Sequence, residues 1–242
     1  MFDLSEVSYI QKGTGEDLVF FHGYLASKES FAAQIEYFSR FYRVTAFDFL
    51  GFGASAPLTE PFSVSEYAAW TEEFLKALSI VRPRVIAHSF GCRVAVKMAA
   101  RGAERGEQVF DKMLLTGAAG IILKRGMRYK IRVKTYRLVK KIAPKFAEKH
   151  FGSAEYKTLS PVMRESYKKI VNEDLREDAR KVENEVLLVE GTEDKTTPIE
   201  EAHVYLSCFS NGWIKTTEGG HFAFAEYPTA FNLIAEEFFF HE

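Results

Sequence analysis

Only two cysteines, Cys92 and Cys208, occur in the 242-residue chain, and neither belongs to a CxxC-type spacing. The sequence therefore carries no signature of a thiolate metal site or a dithiol redox centre, and both thiols are expected to be reduced and partly buried. Nor is there an apolar run approaching the roughly 20 residues that a membrane-spanning helix needs. The first dozen residues carry Asp3 and Glu6 and lack both the basic and the apolar stretch of a secretory signal. The expectation is a soluble, cytoplasmic protein. Internal repeats and low-complexity tracts are absent as well. The net charge of −1 by itself argues for no particular partner.

What is present suits one catalytic domain with a modest insertion, since 242 residues are few for two domains of ordinary size. Short apolar runs rich in β-branched or aromatic residues recur at 18–21, 42–47, 84–87, 112–116 and 186–190. Runs without polar alternation, bounded by turn residues, fit strands buried on both faces. Amphipathic stretches lie between them. The clearest, 63–78, opens on Ser63 and Glu66, the capping box that closes two orphan backbone donors. A last helix is expected from about 228 to 239. Alternating strands and helices predict an α/β fold with a mostly parallel sheet covered on both faces.

Residues 118–182 break this rhythm and read as a helical insertion between two parts of the core, 1–117 and 183–242. Residues 127–134 alternate apolar and basic, which matches a strand period as well as an irregular helix; helix is the expectation. Eleven basic residues fall between Lys124 and Lys149 against one acid, Glu148, so this stretch is +10 and the remainder −11. Such a run is a solvated face, or an attraction for an anionic substrate or surface. Nucleic acid is not the expected partner.

The run at 84–87 leads directly into Ala87-His88-Ser89-Phe90-Gly91 and then a helix of small residues. A serine on a sharp strand-to-helix turn is pushed out above the sheet, and small neighbours relieve the crowding. This segment resembles the nucleophile elbow of α/β hydrolases, usually written G-x-S-x-G, with Ala87 for the first glycine and Cys92 where a further glycine is common. Three more segments resemble the same family in the expected order. Phe20-Phe21-His22-Gly23-Tyr24 is similar to its oxyanion loop, which implies the backbone N–H groups of Tyr24 and Phe90 as oxyanion donors. Asp48-Phe49-Leu50-Gly51-Phe52-Gly53-Ala54-Ser55 resembles a structural turn of the family, so Asp48 is not the expected acid. Gly191-Thr192-Glu193-Asp194 with Pro198 resembles the acid loop, and Gly219-Gly220-His221-Phe222 the base loop.

The resemblance implies the α/β-hydrolase fold with a helical lid, Ser89 as nucleophile, His221 as base and Asp194 as acid, with Glu193 and Glu190 as minor rivals for the last. The chemistry needs these residue types. A serine hydroxyl is a weak nucleophile until an imidazole takes its proton, and a carboxylate sets that imidazole's tautomer. His22, His88 and Phe222 are expected to contact or shape the substrate pocket. Tyr24, Phe49, Phe52 and Phe90 should help make that pocket apolar. The implied activity is cleavage of a carboxylic ester or related acyl compound, possible in anionic form, with no metal or organic cofactor. Same-fold alternatives are carbon–carbon bond hydrolases and a lyase-type synthase acting on carboxylate-bearing substrates. An alternative from another class is a non-catalytic ligand-binding protein. Oligomeric state is not legible.

Overall fold

The computed structural model describes residues 2–123 and 159–240. Within them, seven strands form one sheet: β1 (Tyr9–Lys12), β2 (Asp17–Phe21), β3 (Arg43–Phe47), β4 (Arg84–His88), β5 (Lys112–Thr116), β6 (Glu185–Gly191) and β7 (Gly212–Thr217). Their spatial order is β1-β3-β2-β4-β5-β6-β7. β1 pairs antiparallel with β3, and every other pairing is parallel.

Alternate side chains of the central strands feed two separate cores. Val19, Phe21, Val85, Ala87, Met113, Leu115, Val186 and Leu188 join the larger core, which also takes in α2 (Val64–Ala77) and α3 (Phe90–Glu104). Leu18, Phe20, Ile86, Leu114, Leu187 and Val189 join the other, beneath α1 (Ala32–Phe38) and the closing helix α8 (Pro228–Phe240). An unbroken apolar run is what a strand covered on both faces requires. All five expected strands lie here, within one residue at either end.

The two strands that patterning missed are the sheet edges. β1 reads Tyr-Ile-Gln-Lys, and three of its four residues are exposed. β7 reads Gly-Trp-Ile-Lys-Thr-Thr, with a single buried residue, Thr217. Edge strands have one neighbour and an open flank, so backbone pairing rather than an apolar run defines them.

The capping box forms as expected: Ser63 Oγ accepts from the Glu66 N–H, and Glu66 accepts from the Ser63 N–H. Between β5 and β6, the described residues hold α4 (Pro161–Val171) and the short α5 (Arg176–Ala179). Ser160 caps α4 by accepting from the Met163 N–H, and Pro161 occupies its first position, where a missing donor costs nothing. The basic run 124–149, including Arg125, Arg128, Arg132 and Lys134, lies outside the described residues, as does the helix expected at 127–134. No described helix is long and apolar enough to cross a membrane.

After β3 the chain crosses to the far side of β2 to start β4, so the order reverses between β2 and β4. Loops leaving the carboxyl ends of two such strands diverge and open a crevice, the usual ligand position in a parallel sheet. The loops after β2 and β4 are those that carry Tyr24 and Ser89.

Candidate active site

β4 ends at His88, and α3 starts at Phe90, leaving Ser89 alone to turn the chain. It does so at φ +49°, ψ −107°, a conformation that L-residues rarely adopt and that persists only where the surroundings enforce it. Two features enforce it. The Ser89 N–H donates to the Thr116 carbonyl at 3.0 Å. Gly91 lies so close to β2 that a Cβ there would come within 2.3 Å of the Phe21 carbonyl oxygen, so only glycine fits. Phe90, as the first residue of α3, has a backbone N–H with no acceptor within the helix. Gly23 abuts the elbow from the other loop: a Cβ on it would lie 3.5 Å from Ser89 Cβ and 2.7 Å from His88 Nδ1. The segments carrying Tyr24 and Phe90 therefore meet at Ser89.

β6 and β7 bring the acid and base loops together. Gly191, at the end of β6, packs so tightly on the His221 loop that a Cβ would meet the Gly220 carbonyl oxygen at 2.3 Å. The Glu193 N–H donates to the Gly219 carbonyl at 2.9 Å. Across this seam His221 Nδ1 lies 2.7 Å from Asp194 Oδ2. Because a carboxylate can only accept, Nδ1 carries the proton and Nε2 is left as a proton acceptor.

The Asp194 side chain is only 1% exposed. Burial would raise its pKa, yet hydrogen bonds from His221 and from the hydroxyl and N–H of Thr197 outweigh that and bring it down to about 2. Oδ1 accepts from the N–H groups of Thr196 and Thr197 at 2.7 and 3.0 Å, and Oδ2 also accepts from the Thr197 hydroxyl at 2.7 Å. Thr197 Oγ1 is itself 3.2 Å from His221 Nδ1. Sequence reasoning did not single out Thr197. Its signal was position, three residues past the acid, where a side-chain hydroxyl can fold back on a carboxylate. Glu193, one of the rivals, is exposed. Glu190, the other, is 1% exposed and engages the turn after β5: its Oε1 accepts from the Ala118 N–H at 3.2 Å.

His22 and His88 lie beneath the site, 0% and 1% exposed. His22 Nε2 accepts from the Phe49 N–H at 3.0 Å, so Nδ1 is the protonated nitrogen, donating to the Gly23 carbonyl at 2.7 Å. Both nitrogens thus hold the loop backbone. His88 Nε2 donates to the His221 carbonyl at 2.9 Å and anchors the base loop. Burial lowers both imidazoles, to about 4 for His22 and about 3 for His88, so they are neutral at pH 7. They shape the floor of the site rather than lining its opening. Phe222, 41% exposed and packed on His88 at 4.8 Å between ring centroids, does reach the surface.

The expected apolar lining divides in the same way. Phe49, Phe52 and Phe90 are at most 4% exposed and interlock as a buried cluster, while Tyr24 above them is partly exposed. The Tyr24 hydroxyl donates to the Met163 carbonyl at 3.1 Å, and its ring meets Tyr167 at 5.2 Å, tying this loop to α4. Asp48 is fully buried and accepts from the Lys28 N–H at 2.7 Å, the Lys28 ammonium at 2.9 Å and the Ala54 N–H at 2.9 Å, a structural turn as expected. Cys92 lies directly beneath the elbow. Burial raises its thiol pKa, and Sγ donates to the Ala87 carbonyl at 3.1 Å. It is a packed thiol, not a nucleophile. Among the described residues, no cluster of His, Cys, Asp and Glu is arranged to hold a metal ion.

This strand order, elbow and loop arrangement define a class. The family model for the alpha/beta hydrolase fold matches residues 18–128. An esterase from Exiguobacterium antarcticum superposes with a TM-score of 0.75 at 21% identity, covering 96% of this chain and 94% of that one. The chain adopts the α/β-hydrolase fold. Among curated relatives, 83 residues (34% of this chain) are 34% identical to an (E)-2-((N-methylformamido)methylene)succinate hydrolase of Acinetobacter baylyi, spanning about a third (32%) of that protein's length. A 2-hydroxy-6-oxo-6-(2'-aminophenyl)hexa-2,4-dienoic acid hydrolase of Metapseudomonas resinovorans is 25% identical over 93% of this chain and 84% of its own.

Proposed function

We propose that the chain is a serine hydrolase that cleaves a carboxylic ester or related acyl compound through an acyl-enzyme on Ser89. The observation that carries this reading is the 2.7 Å contact between His221 Nδ1 and a buried, fully ionised Asp194, with the strained Ser89 elbow on the adjoining loop. His221 Nε2 takes the Ser89 proton as Oγ attacks the acyl carbon. The carbonyl oxygen becomes an oxyanion between the Tyr24 and Phe90 N–H groups, donors worth on the order of 3 kcal/mol each in comparable sites. Collapse expels the alcohol, which receives the proton from His221, and water repeats the sequence on the acyl-enzyme. Contacts between a nucleophile and its base often tighten only when substrate binds.

A second reading, hydrolysis of a carbon–carbon bond, is favoured by the relative that aligns over 93% of the chain and whose name is that of a dienoic acid hydrolase. Both curated relatives are named for acidic substrates, and the +10 run at 124–149 suits an anionic one.

Two measurements test these readings. A fluorophosphonate should label Ser89 alone, and Ser89→Ala should abolish labelling and turnover; labelling that survives the substitution removes the nucleophile. Product analysis then compares p-nitrophenyl esters with a vinylogous diketo acid. Faster turnover of the diketo acid, with carbon–carbon scission, would replace the esterase reading by the second.

A further inference from the structure

Glu190 has no part in the mechanism above, yet it is the most unusual acid in the described structure. It is the next-to-last residue of β6, on the face that carries Val186 and Leu188 into the larger core. One oxygen accepts from the Ala118 N–H at 3.2 Å; the other is buried with no hydrogen-bond partner among the described residues. The groups that face it are acids: Asp194 on the loop after β6, Glu201 on α6 (Ile199–Cys208) and the Cys92 thiol on α3. Burial is the main reason that its pKa is pushed up to about 8, the two carboxylates add to it, and the Gly117 and Ala118 N–H groups oppose it. At neutral pH this is an uncharged carboxylic acid.

The turn that Glu190 holds touches the proposed base. Gly117 adopts φ +53°, and a Cβ on it would lie 3.1 Å from both Cε1 and Nδ1 of His221. Close neighbours therefore connect the Glu190 carboxyl, through the Ala118 N–H and the Gly117 backbone, to the edge of the imidazole that faces Asp194. We propose that Glu190 is a positioning residue whose neutral carboxyl keeps the Gly117–Ala118 turn seated against His221, and that its ionisation sets an alkaline limit on turnover. This rests on the reading of His221 as the base. The physical reason is supply of donors. An ionised carboxylate needs several hydrogen bonds or water, and a site enclosed by acids with two backbone N–H groups supplies too few. Losing the proton to solvent therefore favours movement of the turn away from its seat.

The test compares pH profiles of kcat and kcat/KM on a p-nitrophenyl ester for the wild type, Glu190→Gln and Glu190→Ala, together with fluorophosphonate labelling of Ser89. In the wild type kcat should fall above about pH 8. Glu190→Gln, a neutral side chain of nearly the same shape, should keep kcat within about threefold at pH 7 and remain flat for at least about one further pH unit. Glu190→Ala should lose about tenfold or more in kcat with little change in KM, since it leaves the turn unsupported. Rescue by glutamine together with the displaced alkaline limb is what a general packing role would not produce. If Glu190→Ala fails to fold, the Glu190→Gln profile decides alone. Ser89 labelled in all folded variants, with a Glu190→Gln profile that superimposes on the wild type or with activity at pH 7 as low as that of Glu190→Ala, overturns the inference and leaves the site intact. Absence of labelling at Ser89 in the wild type sinks the reading of the site itself.

Discussion

Asp194 and Glu190 stand four residues apart on one strand-and-loop segment, and both side chains are buried, Asp194 against His221 and Glu190 against the turn after β5, yet they are pushed in opposite directions. Asp194 receives four hydrogen bonds and falls to about 2; Glu190 has only the backbone N–H groups of the Gly117–Ala118 turn to oppose its burial and rises to about 8. The difference shows that burial does not decide a carboxyl's charge in this protein. The number of donors that the backbone aims at it does. A carboxylate beside an acid kept neutral is also the way in which neighbouring groups take different tasks at one pH.

The largest effect should come from breaking the Asp194 side of this contrast. Asp194→Asn removes the acceptor that sets the His221 tautomer, and kcat should fall roughly 10²–10⁴-fold, as in other triads. Glu193→Gln, altering an exposed neighbour whose N–H donates to the Gly219 carbonyl, should leave kcat within about twofold. Steady-state kinetics on a p-nitrophenyl ester check both, and the reverse ranking would mean that Glu193 is the acid.

Thinning the donors of Asp194 by one should give a smaller effect. Thr197→Val keeps the shape and the backbone N–H but removes the hydroxyl bond to Oδ2, one of the contacts that lower the carboxyl. We expect kcat to drop by about tenfold, the equivalent of ~1.4 kcal/mol for one lost charge-assisted hydrogen bond. The Asp194 pKa, followed by NMR of a labelled carboxyl, should rise. An unchanged pKa would show that the two N–H donors suffice.

The smallest effect extends the contrast to groups deprived of charge by burial. His22 and His88 titrate near 6.5 when unfolded, but only at about 4 and 3 when folded. Between those limits the unfolded chain binds more protons, so their contribution to stability is present above about pH 6.5 and is lost as pH falls through about 4. Each contributes a slope of up to ~1.4 kcal/mol per pH unit. Glu190 has the opposite sign. Its proton is retained in the fold from about 4.5 to about 8, so its contribution declines as pH rises through that window. Denaturant midpoints for His22→Gln and Glu190→Gln across pH 4–9 should flatten opposite limbs of the stability curve. Identical curves for both variants and the wild type would contradict the buried, neutral state of these groups.

The central strands were legible because each is covered on both faces and so appears as an unbroken apolar run. β1 and β7 were not, since a single neighbour and an exposed flank leave only backbone pairing to define them. The loops of Ser89 and Asp194 were legible for a related reason: each follows a buried strand, and Gly91 and Gly191 mark backbone approaches that a Cβ would block, whereas the His221 loop follows the exposed edge strand β7 and was legible only by its resemblance. Expectations about the pocket fared differently. Phe49, Phe52 and Phe90 sit on the expected loops but turn into the core, because an aromatic ring on a loop above a sheet has two directions open and patterning does not choose between them.

What the sequence by itself determined is the order of elements, the parallel sheet and the turn chemistry that presents a serine, an acid and a histidine after β4, β6 and β7. These depend on contacts within a few residues or on apolar periodicity, and both are written locally. Only the tertiary structure decided that Asp194 rather than Glu190 meets His221, that Thr197 joins them, and that His22 and His88 are committed to backbone partners. Those outcomes turn on contacts between distant parts of the chain, such as Asp194–His221, Thr197–His221, His22–Phe49 and His88–His221, 24 or more residues apart, and no local pattern encodes that geometry.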